Sequence, residues 1–375
     1  MTKSDIAFLI TESSYFLSHR RPLADACITE GLRPELITNL AEADQAKLAN
    51  LRVVPFDMQR ASHHPFRELM TLWRVVALLR RERPRLLHAV GLKPVLYGSF
   101  AAWLLGLDVI CALGGLGYLF TSGSARVRLL RHLVLLCLRL SFMRSRTHVI
   151  LQNDDDAEKL IANRLASADR LTMIRGSGID LVRFQPSPEP KGVPVFAVVS
   201  RMLADKGIRE VVLAARLLRW RGIPCKVQLI GKPDEHNPTS LSRQTLSAWE
   251  AEGVVEWLGY RDDITAIWRD AHVCVLPSYR EGLPKALLEA AACGRPIITT
   301  DVPGCRAVVR DGVEGLLVPA RDWRSLAKAM ERLAASPELR HAMGRAARAR
   351  AEAEFGQDKI VQQTMSLYRK LLGRR

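Results

Sequence analysis

Short, wholly apolar runs alternate along this chain with longer stretches in which apolar residues recur at helical spacing, so buried strands and amphipathic helices are predicted to take turns. Residues 6–10 form the first such run, followed by a polar loop over 11–21 and a helix over 22–30 that stops at Gly31. Strands are predicted at 51–55, 84–90, 109–113 and 148–151, with amphipathic helices over 66–82 and 126–146 and a further helix over 157–163. The pattern restarts with strands at 195–199, 225–230, 254–258 and 273–277, a helix over 208–221, and a helix beginning near Pro284 and ending at Gly294. Runs without polar alternation suit strands buried on both faces, as in parallel sheets covered by helices. The predicted fold class is therefore α/β, with doubly wound domains. Proline-rich residues 184–190 break regular structure. They set the expected bounds: a first domain over 1–185, a second over 186–351, and a helical tail over 352–375.

Composition narrows the partners. The chain has 375 residues, 48% hydrophobic and 25% charged, which suits two globular domains and excludes a disordered chain. Its net charge of +16 attracts polyanions. No zinc-finger, RNA-binding or basic-zipper pattern accompanies the charge, so an anionic membrane surface is favoured over nucleic acid. Residues 126–146 hold six arginines and no acid. Arg128, Arg131 and Arg139 share one side of that helix and either face lipid headgroups or form a solvated stripe on a core helix. The seven cysteines fall singly, as reduced thiols do in a cytoplasmic protein. The longest apolar run, 94–107, is too short to span a bilayer, so a soluble or peripheral rather than integral protein is expected. Asn153-Asp154-Asp155-Asp156 precedes a helix and is better explained by N-capping than by a metal site.

The chemistry concentrates between residues 278 and 289. Glu281 falls in the loop before a helix and Glu289 lies inside it, about 12 Å further along the axis and ~80° round it. Between them is a helix N-terminus, which favours a phosphate. A ligand with hydroxyls at both ends and a diphosphate in the middle fits, and a nucleoside-diphosphate sugar has that layout. The glycine-rich residues 114–117 lack the order of a dinucleotide fingerprint. His88, following an apolar run, is either structural or functional.

The stretch Pro277-Ser278-Tyr279-Arg280-Glu281-Gly282-Leu283-Pro284-Lys285-Ala286-Leu287-Leu288-Glu289-Ala290 resembles the signature of retaining GT-B glycosyltransferases of family 4, which includes bacterial O-antigen, capsule and exopolysaccharide transferases. Residues 294–305 and 311–319 fit the same pattern. The resemblance implies two Rossmann-like domains facing across a cleft, a tail that crosses back to the first domain, and transfer without a metal or other cofactor. It implies that Glu281 orients the sugar, that Arg201 and Lys206 neutralise the departing diphosphate, and that Gly282, Leu283, Pro284, Glu289, Tyr260 and Arg261 border the donor. On the first domain it implies an acceptor site at Ser18, His19, Arg20, Gly115, Gly117 and Tyr118. The partners so implied are a nucleotide-sugar donor, with UDP favoured, and an undecaprenyl-diphosphate-linked acceptor at the inner face of the plasma membrane. The alternatives are a non-catalytic sugar-nucleotide-binding scaffold, or an epimerase or phosphorylase on a similar framework.

Overall fold

The computed structural model describes residues 3–58, 65–114, 125–142, 146–235 and 237–373. They fold into two compact units, Met1–Gly178 with Gln357–Arg375, and Ile179–Gly356.

The first unit begins with β1 (Ile6–Glu12), α1 (Ser13–His19), α2 (Arg21–Thr29), β2 (Pro34–Asn39) and β3 (Arg52–Pro55). It continues through α3 (Pro65–Glu82), β4 (Leu86–Val90), α4 (Leu92–Leu105), β5 (Asp108–Ala112), α5 (Ala125–Phe142), β6 (Thr147–Leu151), α6 (Asp154–Ala162) and β7 (Leu171–Met173). The strands form one parallel sheet in the order β3-β2-β1-β4-β5-β6-β7. Alternate residues of β1 explain its unbroken apolar run. Ala7 and Leu9 enter the core under α3, α4 and α5, while Ile6, Phe8 and Ile10 enter the core under α2 on the other face. On α4, Gly98 rides directly over the sheet, where an added Cβ would lie 3.1 Å from Leu9 and 3.2 Å from Ala89.

The structure differs from the sequence reading in two places here. Residues 13–19, expected as loop, are helical: Phe16 is fully buried, Ser13 Oγ donates to Asp44 at 2.6 Å, and Tyr15 stacks on His19 one turn later at 4.1 Å. Strand β2 was masked in the pattern by Glu35. This carboxylate is fully buried on the sheet and pairs with Arg52 of the next strand at 3.1 Å, a partner no local pattern can reveal. The N-cap expected at 153–156 is present, with Asn153 Oδ1 accepting from the Asp156 backbone N–H at 2.9 Å.

The second unit runs β8 (Val195–Val199), α7 (Ile208–Trp220), β9 (Lys226–Ile230), α8 (Arg243–Ala251), β10 (Glu256–Gly259), α9 (Ile264–Asp270) and β11 (Val273–Leu276). It is completed by α10 (Lys285–Ala292), β12 (Ile297–Thr300), α11 (Pro303–Arg306), β13 (Gly315–Val318), α12 (Trp323–Ala335) and α13 (Pro337–Arg350). Its parallel sheet has the order β10-β9-β8-β11-β12-β13. The order reverses between β8 and β11, so their carboxyl ends diverge and leave the crevice in which ligands of such sheets bind.

The units divide at 178/179 and 356/357, not at the expected 185/186 and 351/352. The proline-rich run is irregular but firmly held by the second unit. Phe184 is buried in its core, Arg295 donates to Ser187 Oγ (2.6 Å) and Pro188 O (3.2 Å), and Arg340 donates twice to Glu189 (2.6 and 2.8 Å). Likewise Phe355 is buried there and its carbonyl accepts from Ile179 at 2.8 Å. Only the last helix, α14 (Gln357–Leu372), belongs to the first unit. There Tyr368 meets His88 Nδ1 at 2.5 Å and Arg369 pairs with Glu30. His88 is thereby structural: burial, with Arg20 nearby, holds its pKa well below the usual histidine value and keeps it neutral.

Candidate active site

Two loops leave the crevice in the second unit. The first follows β8 and contains Arg201 and a tight turn over Ala204–Lys206; the second follows β11 and contains Tyr279–Pro284 before α10. Glycine makes their approach possible. Gly207 has φ +71°, and an added Cβ would lie 2.2 Å from Pro277 O, so no other residue fits without moving a backbone. The loops are then stapled. Tyr279 N donates to Asp205 O at 2.9 Å, Arg280 pairs with Asp205 at 2.9 Å, and Tyr279 Oη donates to Glu210 at 2.6 Å.

The innermost staple joins Lys206 Nζ to Glu281 Oε1, both largely buried. From below, α11 supports this loop, with Gly304 packed so closely that a Cβ would lie 2.4 Å from Gly282 O and 2.5 Å from Glu281 O. Glu281 is thus held by a cation on one side and by backbone on the other, and its orientation is set before any ligand arrives.

Helix α10 starts at Lys285 with Pro284 as its N-cap, one residue later than the sequence suggested. Pro284 has ψ 120°, extended rather than helical, which puts Gly282–Pro284 outside the helix in front of its positive end. Glu289, one turn in, is 8% exposed. Burial raises its pKa, opposed by Lys285 at 4.0 Å and by the nearby Trp268 and Arg183. Trp268 Nε1 itself is buried without a hydrogen bond of normal geometry.

Other expected site residues fall as follows. Arg201 turns to Asp234, Nη1 to Oδ2 at 2.6 Å, and not to Glu281. Gly231 brings that region close, since a Cβ there would collide with Ser200 O. Tyr260 and Arg261 are exposed beyond β10, with Lys232 Nζ 5.4 Å over the tyrosine ring. In the first unit Ser18 is exposed and its Oγ meets His19 Nδ1 at 2.5 Å, while Arg20 is buried and reaches Gly176 O at 3.4 Å. Gly115, Gly117 and Tyr118 lie outside the described residues, as do the side chains of Arg128 and Arg131; Arg139 is exposed on α5. Asp205, Glu210, Asp234 and Gly304 were not anticipated as parts of the site. Asp205 abuts Lys206 in sequence, but only the meeting of loops 75 residues apart gives it a partner.

Residues 182–350 match the family model for glycosyl transferases group 1, and residues 19–176 match that for a glycosyl transferase 4-like domain, one in each unit. The chain is a GT-B glycosyltransferase. Among curated relatives, the transferase is 26% identical over 336 residues to the N,N'-diacetylbacillosaminyl-diphospho-undecaprenol alpha-1,3-N-acetylgalactosaminyltransferase of Campylobacter jejuni, covering 86% of each chain. It is 25% identical to the capsular polysaccharide biosynthesis glycosyltransferase CapM of Staphylococcus aureus, covering 82% of each. Its fold matches sucrose-phosphate synthase from Thermosynechococcus elongatus (TM-score 0.79, 22% identity, 100% of each chain). It also matches HepE of Anabaena, solved with UDP and glucose (TM-score 0.74, 18% identity, 97% of this chain and 99% of that one).

Proposed function

We propose that this glycosyltransferase moves a sugar, with retention of anomeric configuration, from a UDP-sugar to an undecaprenyl-diphosphate-linked saccharide during surface-polysaccharide assembly. The observation that carries the reading is the Lys206–Glu281 pair ahead of α10, on loops that pack closely at Gly207 and Gly304. The names of the Campylobacter jejuni and Staphylococcus aureus relatives support the acceptor class and the pathway. The UDP bound to HepE supports the donor base.

In this reading the diphosphate lies in front of α10, where Lys206 and Arg201 supply cationic charge as the sugar–phosphate bond breaks. Lys206 exchanges part of its contact with Glu281 for a phosphate oxygen. Glu281 in turn receives sugar hydroxyls and steadies the positive charge that develops at the anomeric carbon. Glu289, whose carboxylate is costly to keep charged when buried, is relieved by accepting ribose hydroxyl hydrogen bonds. No metal takes part, and the leaving phosphate assists attack on the same face. The enzyme works at the cytoplasmic face of the membrane, with its acceptor on the first unit near Ser18, His19 and Arg20.

The test is transfer from a panel of UDP- and GDP-sugars to a polyprenyl-diphosphate-linked acceptor, with the product's anomeric configuration read by NMR. Glu281→Ala and Lys206→Ala are each expected to lower kcat about 10²–10³-fold. Near-normal turnover in either, an inverted product, or a required GDP donor would each overturn the corresponding part of the reading.

A further inference from the structure

Helix α3 is apolar on two faces. Val75, Val76 and Leu79 on the inner face are buried against the sheet. On the outer face Phe66 is 68% exposed, Leu69 53%, Met70 48% and Trp73 52%. The spacing i, i+3, i+4, i+7 makes these four one continuous stripe on a helix. Scattered exposed apolar residues are ordinary, but a stripe of this kind marks an interaction surface.

The charges on α3 are sorted as well. Its two acids turn inward: Glu68 binds Lys93 at 3.0 Å and the Tyr97 hydroxyl, and Glu82 binds Arg52 and Arg81. Its remaining exposed positions, apart from Ala77, are Arg67, Arg74, Arg80 and Arg81. On the same face of the sheet, α4 packs between α3 and α5, and α5 exposes Leu136 and Leu140 around Arg139.

We propose that this face docks on an anionic lipid bilayer. Helix α3 lies in the plane of the interface, with Phe66, Leu69, Met70 and Trp73 among the acyl chains and the flanking arginines at lipid phosphates. The proposal deepens the membrane-surface part of the reading above and rests on it, moving the principal contact from the α5 arginines to α3.

Three observations select lipid as the occupant. The stripe joins apolar side chains and a tryptophan to arginines without an exposed acid, the composition of a helix lying on an anionic membrane. A second copy meeting it by two-fold symmetry would bring the arginines of α3 against themselves, on a chain that already carries a net charge of +16. Finally, α3 connects two parallel strands, so its N-terminal half, with the four apolar residues, sits at the carboxyl edge of the sheet. The chain leaves β1 and β4 at that edge to enter α1 and α4, and the reading above places a lipid-linked acceptor beside α1, near Ser18, His19 and Arg20.

The experiment is co-sedimentation of the full chain with vesicles of phosphatidylglycerol and phosphatidylethanolamine, beside vesicles of phosphatidylcholine alone. The wild type is expected to pellet with the anionic vesicles, and the double variant Leu69→Glu/Trp73→Glu to lose at least about tenfold in apparent affinity at unchanged Tm and unchanged UDP-sugar binding. A second readout does not depend on the charged variant folding. Brominated acyl chains are expected to quench part of the wild-type tryptophan fluorescence, and that part is lost in Trp73→Phe. Equal pelleting of the double variant, or equal quenching of Trp73→Phe, overturns the proposal. So does a wild-type dimer in light scattering that the double variant splits while vesicle binding persists, because the face then belongs to a second copy. Vesicle binding by a protein inactive with every donor and acceptor would instead defeat the transferase reading and leave the docking face standing. Transfer to a detergent-dispersed acceptor without vesicle binding does the reverse.

Discussion

Replacing Gly304 with alanine tests whether the Glu281 loop is as rigidly seated as its packing implies. The new methyl carbon would lie 2.4 Å from Gly282 O, 2.5 Å from Glu281 O and 2.6 Å from Glu281 C. Comfortable contacts of this kind need about 3.5 Å, so backbone on one side must retreat by roughly 1 Å. No side chain can absorb that displacement, because all three nearest atoms are main-chain. The loop that moves carries the partner of Lys206. A displacement of ~1 Å at such a site costs about 10²-fold in rate. That factor is about 2.7 kcal/mol of transition-state stabilisation.

The assay is kcat/KM for transfer from the productive donor, measured beside Tm. The control is Gly344→Ala on α13, where the methyl would lie 2.2 Å from Gly294 O, beyond the far end of α10. Both variants are expected to lose Tm, but only Gly304→Ala should lose kcat/KM per folded molecule. The reasoning fails if Gly304→Ala stays within about threefold of wild type, or if Gly344→Ala loses activity equally.

Two further outcomes concern stability. Burial raises the Glu289 pKa in the folded state above its unfolded value, so this group's contribution is most favourable at acid pH and declines as pH climbs from the unfolded to the folded value. Glu289→Gln is therefore expected to raise the Tm of the ligand-free enzyme near neutral pH by about 2–4 °C for each ~1 kcal/mol recovered, with the gain shrinking toward pH ~4. Donor affinity should fall in the same variant, and calorimetry over a pH series checks both. Arg340→Met leaves Glu189 without its bidentate partner and uncaps the Leu333 carbonyl, now bonded at 2.7 Å, so a loss of about 3–5 kcal/mol is expected by urea unfolding. For wild-type Glu189, burial alone would raise the pKa, but the bonds and charge of Arg340, with His272 and His341 nearby, together lower it. Its stabilisation is present above the unfolded value and is lost as pH falls through the lowered folded one, so the Arg340→Met deficit should narrow in acid.

Much of this architecture was legible in one dimension. Wholly apolar runs such as residues 6–10 and 273–276 mark strands covered on both faces, because a strand buried twice has no position free for a polar residue. The placement of Glu281 and Glu289 around a helix N-terminus followed from Gly282, Pro284 and Gly294, residues whose backbone preferences act locally. Local signals stop where long-range partners begin. Strand β2 was hidden because it carries a buried acid, Glu35, whose counter-ion Arg52 lies on the neighbouring strand. Residues 184–190 read as a domain boundary, yet Arg295 and Arg340, more than 100 residues away in sequence, fasten them to the second unit. The same limit held at the site. The sequence by itself determined which residues carry charge and where the turns fall. Only the tertiary structure decided that Lys206 would meet Glu281 while Arg201 turned to Asp234, because those pairings depend on loops from separate strands meeting at one sheet edge.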